Sequence, residues 1–362
     1  MVPMATRLSE LLGIEHPIVQ APMAGSSGSE LVVAVCIAGG LGSLPCAMLS
    51  ADEARAEVAT IRRATAQPFN LNFFCHDPPV VDPVRFASWS ERLAAFYAEL
   101  GVDVPSAIPT GGRSPFDDEL CDLVEELRPG VVSFHFGLPI ERLIERVKRA
   151  GATILSSATT VAEARWLVDH GCDAVIAQGL EAGGHRAMFL DDDPRRQVGT
   201  MALVPQIVDA IDVPVIAAGG IADGRGIAAA LALGADGVQI GTAFLRCPEA
   251  TTGALHRIAL AAATEDATVL TNVITGRPAR SIVNRMISTV GPLSPEVPPF
   301  PLAAALSAPL RVAAEAAGSA DFSPLWAGQA TALTVELPAG QLVGRLVAEM
   351  HVALATDQRS QT

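Results

Sequence analysis

DAVIAQGLEAGGHR, residues Asp173–Arg186, reads as a strand that ends in a ligand-binding loop. It opens with an apolar run, Ala174–Ala177. It then breaks into a loop carrying Gln178, Glu181, Gly183, Gly184 and His185. Adjacent glycines let backbone approach a ligand closely, and an imidazole moves a proton near neutral pH. PVIAAGGIADGRG (Pro214–Gly226) and ADGVQIGTAF (Ala235–Phe244) repeat the pattern. Three successive strand ends that open into glycine-rich or polar loops point to the mouth of one barrel.

Outward from this stretch, short apolar runs alternate with helical patterns, the rhythm of a parallel sheet covered by helices. Strands are expected at Ile18–Ala21, Leu41–Ser43, Phe69–Phe73, Val131–Phe134, Thr153–Ser156, Ala174–Ala177, Val215–Ala217 and Gly237–Ile240. Eight strands are the number that closes a TIM (β/α)8 barrel. Between the fifth and sixth, Thr160 followed by Glu163 reads as a capping box that starts a helix. Asp223–Leu233 reads as the helix before the eighth strand.

Two segments break the rhythm. Cys75–Leu127 is an insertion with a helix at Trp89–Leu100 and a turn-rich piece, VPSAIPTGGRSP. Pro248–Met350 follows the barrel, with helices at Thr252–Thr264, Leu302–Gly318 and Gly340–Leu354 and a proline-dense linker at Gly291–Pro301. The division expected is a barrel of residues 1–74 and 128–247, and a largely helical second domain of 75–127 and 248–350. Residues 351–362 are expected as a tail that frays from Ala355.

The chain has 362 residues, half of them apolar and 18% charged, which is enough to bury a large core. A net charge of −14 argues against gripping nucleic acid by its phosphates. Six scattered cysteines form no CxxC pair, so they read as reduced thiols of a cytoplasmic protein, without disulfides and without a metal site. The amino-terminal residues lack the apolar core of a signal peptide, and no apolar run is long enough to span a bilayer.

The candidate site residues follow from the strand ends. Gly219–Gly220 and Gly241–Thr242 follow the last two strands, where barrels commonly seat a phosphate on backbone N–H groups. Asn72, Gln178 and Gln239 place amides where the carbonyls and nitrogens of a flat heterocycle can be bonded without charge. Each is otherwise a buried amide tying loops together. Pro22 and Met23, in QAPMAG, offer a backbone edge and a soft thioether to a ring face. His185 and His135, the latter in SFHFGLP, are expected to face one mouth, one as a base and one holding an anion. No GxSxG elbow and no strand-borne GxGxxG is present, which argues against a serine hydrolase and a Rossmann nicotinamide site. Asp191–Pro194 reads as a solvated turn and His170 as a helix end.

Together, QAPMAG, LNFF, SFHFGLP, AQGLEAGGHR, AAGGIAD, QIGTAF and the late LWAGQ resemble the nitronate monooxygenase family, in order from about Ile18 to Gln329. The resemblance implies an FMN-dependent barrel that oxidises alkyl nitronates, with nitroalkanes as a further candidate substrate, using O2 and giving a carbonyl compound and nitrite. It implies FMN contacts at Asn72, Gln178, Gly183, Gly220 and Gln239–Thr242, a base at His185, a second site histidine at His135, and a late segment with Gln329 folding over the flavin. One departure stands out. Family members with this motif set line the substrate pocket with several tyrosines, and this chain has one, Tyr97. Phe74, Phe116, Phe136 and Trp326 are the expected replacements. Two other readings share the scaffold: an NAD(P)H-dependent quinone or enoyl-thioester reductase, and a flavin-binding protein without turnover.

Overall fold

The structure, a computed structural model, describes residues 5–105 and 114–359. Most of the expected turn-rich piece, Val104–Pro115, lies outside the described residues. Eight parallel strands form the barrel: β1 (Ile18–Gln20), β2 (Gly42–Pro45), β3 (Phe69–Phe74), β4 (Val131–His135), β5 (Thr153–Ala158), β6 (Ala174–Gln178), β8 (Val215–Ala218) and β9 (Gly237–Ile240). A two-residue strand, β7 (Gly184–His185), intervenes in the chain. The sheet order is β1-β9-β8-β6-β5-β4-β3-β2. It closes through a parallel bridge between Val19 and Leu41, where Gln20 N–H donates to the Leu41 carbonyl at 2.9 Å.

The pleat decides what reaches the mouth, because alternate residues face opposite sides of a strand. Leu71, Phe73, Val132, Phe134, Val175, Ala177, Val215, Ala217, Val238 and Ile240 pack outward against the helices. Val19, Leu41, Val131, Leu155, Ala174, Ile176, Ile216 and Ala218 fill the barrel, with Leu8, Leu12 and Ile14 plugging its lower end. Counting along each strand in the inward phase leads to Asn72, Phe74, His135, Ser157, Gln178 and Gln239. Beneath them lies a buried polar belt. Asn70 Nδ2 donates to the hydroxyls of Ser43 (3.0 Å) and Ser133 (2.8 Å), and Asn72 Nδ2 donates to the Ser133 hydroxyl at 3.0 Å.

The insertion and the segment after the barrel share a second core. Phe86, Trp89, Leu93, Phe96 and Tyr97 pack against Met286, Ile287, Leu306, Leu310 and Phe322. The insertion helix starts at Pro83, earlier than expected, because Asp82 caps it: its carboxylate accepts from Val84 N–H (3.0 Å) and Arg85 N–H (3.1 Å), with proline in the first turn. Tyr97 is buried there, its hydroxyl donating to the Leu306 carbonyl, away from the barrel mouth.

Two features of the later segment differ from expectation. A hairpin, β10 (Thr268–Thr271) and β11 (Ala279–Ile282), pairs with β7 in a three-stranded antiparallel sheet. The last helix runs from Ala339 to Arg359, beyond the expected start of the tail. It lies on the barrel's flank, with Leu342, Val343, Leu346, Val347 and Met350 in the barrel's outer core. Gly224 permits that approach, since a Cβ there would sit 2.2 Å from Met350 N. Among the described residues no helix is long and apolar enough to cross a membrane.

Candidate active site

The barrel mouth holds a cavity of about 480 Å³, within the range of cofactor sites. Pro22 and Met23 line it from the loop after β1, Asn72 from β3 and His135 from β4. Gln178, Gly183, Gly184 and His185 line it from β6, β7 and the loop between them, Gly219 and Gly220 from the loop after β8, and Gln239, Gly241 and Thr242 from β9 and its loop. Gln329 is the exception among the expected residues. It is exposed and off the cavity wall, and its backbone N–H donates to the Glu181 carbonyl at 3.0 Å. Its neighbours Trp326, Gly328 and Ala330 line the cavity instead.

The glycines are needed for two different reasons. Gly219 (φ 116) and Gly220 (φ 71) occupy backbone conformations that side chains rarely adopt. Gly183 has no room: a Cβ there would sit 2.5 Å from Gly328 N and 2.6 Å from the Ala327 carbonyl carbon. The late AGQ segment is therefore laid directly on the AGGH loop. Thr242 Oγ1 holds it by accepting from Gly328 N–H at 2.9 Å. Glu181 of the same loop does structural work, its carboxylate accepting from Thr200 N–H (2.8 Å) and Thr200 Oγ1 (2.8 Å) at the start of the helix Thr200–Val208.

His185 is fixed through both its ring and its backbone. Its Nε2 lies 2.9 Å from Thr275 Oγ1. Its carbonyl accepts from Gln178 Nε2 at 3.0 Å and from His135 Nε2 at 3.2 Å. A carbonyl only accepts, so His135 carries its proton on Nε2 and its Nδ1 faces the Ser157 hydroxyl at 3.4 Å. Gln178 is likewise engaged, its Oε1 accepting from Ala187 N–H at 2.9 Å. Both residues thus act on the backbone of the loop that carries His185. By contrast Gln239 Oε1 is buried with no hydrogen-bond partner among the described residues, and Gln239 lines the cavity.

Several contributors were not expected. Arg186 is wholly buried, donating to the carbonyls of Gly179 (2.5 Å) and Gln178 (2.7 Å) and to Gln197 Oε1 (2.9 Å). Arg280 donates to the next carbonyl, Leu180, at 3.0 Å. The turn after β6 is held by guanidinium groups, and burial pushes Arg186 down to about 9. Glu163 also reaches this region. Thr160 caps its helix as expected, but the Glu163 carboxylate turns instead to Thr159 N–H (2.7 Å) and Phe189 N–H (2.7 Å), so the capping box is half formed. His256 lines the cavity, its Nε2 donating to the Trp326 carbonyl at 3.1 Å. Arg311 and Glu315 complete the rim from the helix Ala303–Ala316.

Aromatic rings surround His185. Phe300, Trp326 and Phe136 have ring centroids 5.2, 5.3 and 6.0 Å from its own, and Phe74 lies 6.5 Å away. Phe136 sits at φ 71, a left-handed conformation uncommon for a bulky residue, which turns its ring toward this cluster. Phe116 does not belong to it. It packs outside the barrel against Phe73 and Phe134, at 5.0 and 5.1 Å.

A family model described as nitronate monooxygenase matches residues 5–349. The chain belongs to the nitronate monooxygenase family. A nitronate monooxygenase of Pseudomonas aeruginosa is 43% identical over 96% of this chain and all of its own length. One of Paraburkholderia phytofirmans is 44% identical over 96% of this chain and 95% of its own. Among solved structures, a nitroalkane oxidase from Streptomyces ansochromogenes superposes with a TM-score of 0.88 at 42% identity, covering 96% of this chain and 99% of that one. FabK from Thermotoga maritima is more distant, with a TM-score of 0.74 and 28% identity over 99% of this chain and all of that one. As a member of the nitronate monooxygenase family, the chain is a flavin-dependent oxidoreductase on a TIM barrel.

Burial of two cavity-lining histidines has a consequence for stability. Desolvation pushes His135 down to about 3, and His256 down to about 4. The unfolded histidine titrates near 6.5. Between these values the unfolded chain binds the extra proton, so stability is full above about pH 6.5 and falls as the pH drops through the window. Each such group contributes about 1.4 kcal/mol per pH unit. The urea midpoint is expected to drop between pH 7 and pH 4.5, and less so in His135→Asn. An unchanged wild-type midpoint over that range would show that neither imidazole is buried uncharged.

Proposed function

We propose that this chain uses FMN to oxidise alkyl nitronates with O2, giving a carbonyl compound and nitrite. The observation that carries the reading is the joining, in one cavity, of the glycine-rich ends of β8 and β9 to a histidine clamped through its backbone. The residues present fit a flavin. The unpartnered Gln239 Oε1 calls for a donor such as a ring N–H or a hydroxyl. The loops at Gly219–Gly220 and Gly241–Thr242 leave backbone where a single phosphate can approach. The two adjacent loops offer a seat for one phosphate, which favours FMN over FAD. Pro22, Met23, Asn72 and Gly183 are the further candidates for holding the ring. The flavin supplies the redox chemistry when bound.

The protein's share is placement and proton handling. Thr275 orients the His185 ring, which takes the proton from the carbon beside the nitro group of a neutral nitroalkane, or holds the oxygens of a preformed nitronate. His135, with both nitrogens engaged, is a positioning residue in this reading. Phe300, Phe136 and Trp326 keep water from the reacting carbon, in place of the tyrosines common in the family. The scattered spacing of the six cysteines, without a CxxC pair, supports a cytoplasmic location.

Flavin released by acid from the purified protein is expected to chromatograph as FMN. The same preparation should release nitrite from propyl-2-nitronate in air with no nicotinamide present. Released FAD would overturn the cofactor assignment, and flavin-loaded protein that forms no nitrite would overturn the activity.

A further inference from the structure

A second cavity, of about 770 Å³, lies beside the flavin cavity at the same end of the barrel. Its floor carries Arg277, Met188, Asn272, Ser294 and Phe300. The wall between the two cavities is the aromatic cluster itself, since Phe300 packs against both Phe136 and His185. Arg277 belongs to TGRPAR, whose Thr275 and Arg280 serve the loop that carries His185, while Arg277 itself lines the second cavity. Its guanidinium lies over the Phe136 ring, 4.0 Å from the centroid.

This guanidinium uses few of its donors. Arg186 and Arg257, also held without a carboxylate, use their donors on three and four acceptors respectively. Arg277 donates to one, the Met188 carbonyl. Among the described residues no carboxylate pairs with it. Asp77, Asp82 and Asp192 stand on the exposed rim of the cavity, together with Arg85. Asn272 is closed on itself, with its amide bonded to the Ser294 backbone on both sides. A guanidinium has five N–H donors in a planar fork, which suits a pair of oxygens on one atom. Glu163, Asp192 and Asp77 act on it only at a distance; a largely buried cation with no carboxylate in contact is costly, and an anion seated on it relieves that cost. The burial is already felt, because desolvation pushes Arg277 down to about 10.

We propose that this cavity is a second binding site, in which Arg277 holds a planar oxyanion with two oxygens on one nitrogen, either the nitronate on its way in or the nitrite on its way out. The class follows from the fork, and the naming of nitronate and nitrite rests on the proposed activity. Phe300, which lines this cavity, packs against His185, and the cavity shares no lining residue with the flavin cavity.

Calorimetric titration of the flavin-loaded protein with sodium nitrite, against sodium chloride at equal ionic strength, tests the site without turnover. The wild type should bind nitrite. Arg277→Met should weaken that binding at least about tenfold while keeping its flavin, and Arg277→Lys, which keeps charge but not the fork, should fall between. His185→Asn should bind as the wild type does. Nitrite binding that survives Arg277→Met, is absent from the wild type, or is lost in His185→Asn instead overturns the site. If Arg277→Met does not fold, the Arg277→Lys titration and nitrite inhibition of that variant decide. Inhibition of nitronate oxidation by nitrite that weakens in Arg277→Lys supports the site, and inhibition of equal strength in that variant overturns it. These results stand apart from the activity, because a protein that fails to oxidise nitronates still gives the titration its answer. The variant's kinetics separate the two sources. Loss in kcat/KM with kcat kept marks a site that receives nitronate, and loss in kcat with kcat/KM kept marks one that releases nitrite.

Discussion

His185→Asn is expected to lower turnover of a neutral nitroalkane by about 10²–10⁴-fold, the usual worth of a positioned general base. With the preformed nitronate the loss should be far smaller, because that substrate has already given up its proton. The structure explains why the two effects separate. The bonds that hold this loop, from Gln178 and His135, go to the His185 carbonyl and not to its ring. Asparagine therefore removes the imidazole and its contact with Thr275 while leaving the backbone beside the flavin seat in place. Parallel steady-state assays on nitroethane and its nitronate, with flavin content measured in each preparation, check this. Equal losses on both forms with full flavin would make His185 an anion holder and not chiefly a base. No loss on either would remove it from the chemistry.

Gly183→Val should purify without flavin. A branched side chain at this position meets the backbone of Ala327 and Gly328, since even a Cβ would come within 2.6 Å of both. Backbone cannot rotate aside as a flexible side chain can. The AGQ segment must lift from the AGGH loop, and its bond from Gly328 N–H to Thr242 beside the proposed phosphate loop is lost with it. Overpacking of this kind costs about 1–3 kcal/mol, a large fraction of net stability. Gly184→Ala is the control. It carries the strain of φ 72 but meets nothing within 4 Å, and it should keep most of its flavin. The ratio of flavin to protein absorbance reads both variants. A Gly183→Val protein with a full complement of flavin would mean that the two segments do not need their close contact.

The barrel was legible in the sequence because each strand carries its own signal. All eight expected strands are present, with ends shifted by a residue or two. The same pleat phase that hides Val175 and Ala177 behind helices delivers Gln178 to the mouth, and the rule repeats at Asn72, His135 and Gln239. What stayed illegible depends on docking between distant segments. TVLT and ARSI, four residues each amid glycine and proline, become strands because β7 offers an edge to pair with. His256 sits in an alanine-rich helix with no local mark of function, and reaches the cavity through the fold of the later segment. Phe116 and Phe136 look alike in sequence. One lies outside the barrel and the other is turned inward by a left-handed backbone. The amides Gln178 and Gln239 also look alike, yet one is taken up by the loop and the other has an oxygen without a partner.

The central claim is that a nitronate, and not a nicotinamide, delivers electrons to this site. The absorbance spectrum of the purified, flavin-loaded protein under anaerobic conditions tests it most directly. Propyl-2-nitronate is expected to change the spectrum of the oxidised flavin within the mixing time, with the oxidised spectrum returning when O2 is admitted. NADH or NADPH added to a second sample should leave the oxidised spectrum in place over the same period. Rapid bleaching by a nicotinamide together with no response to the nitronate would contradict the account, and would assign the scaffold to a reductase.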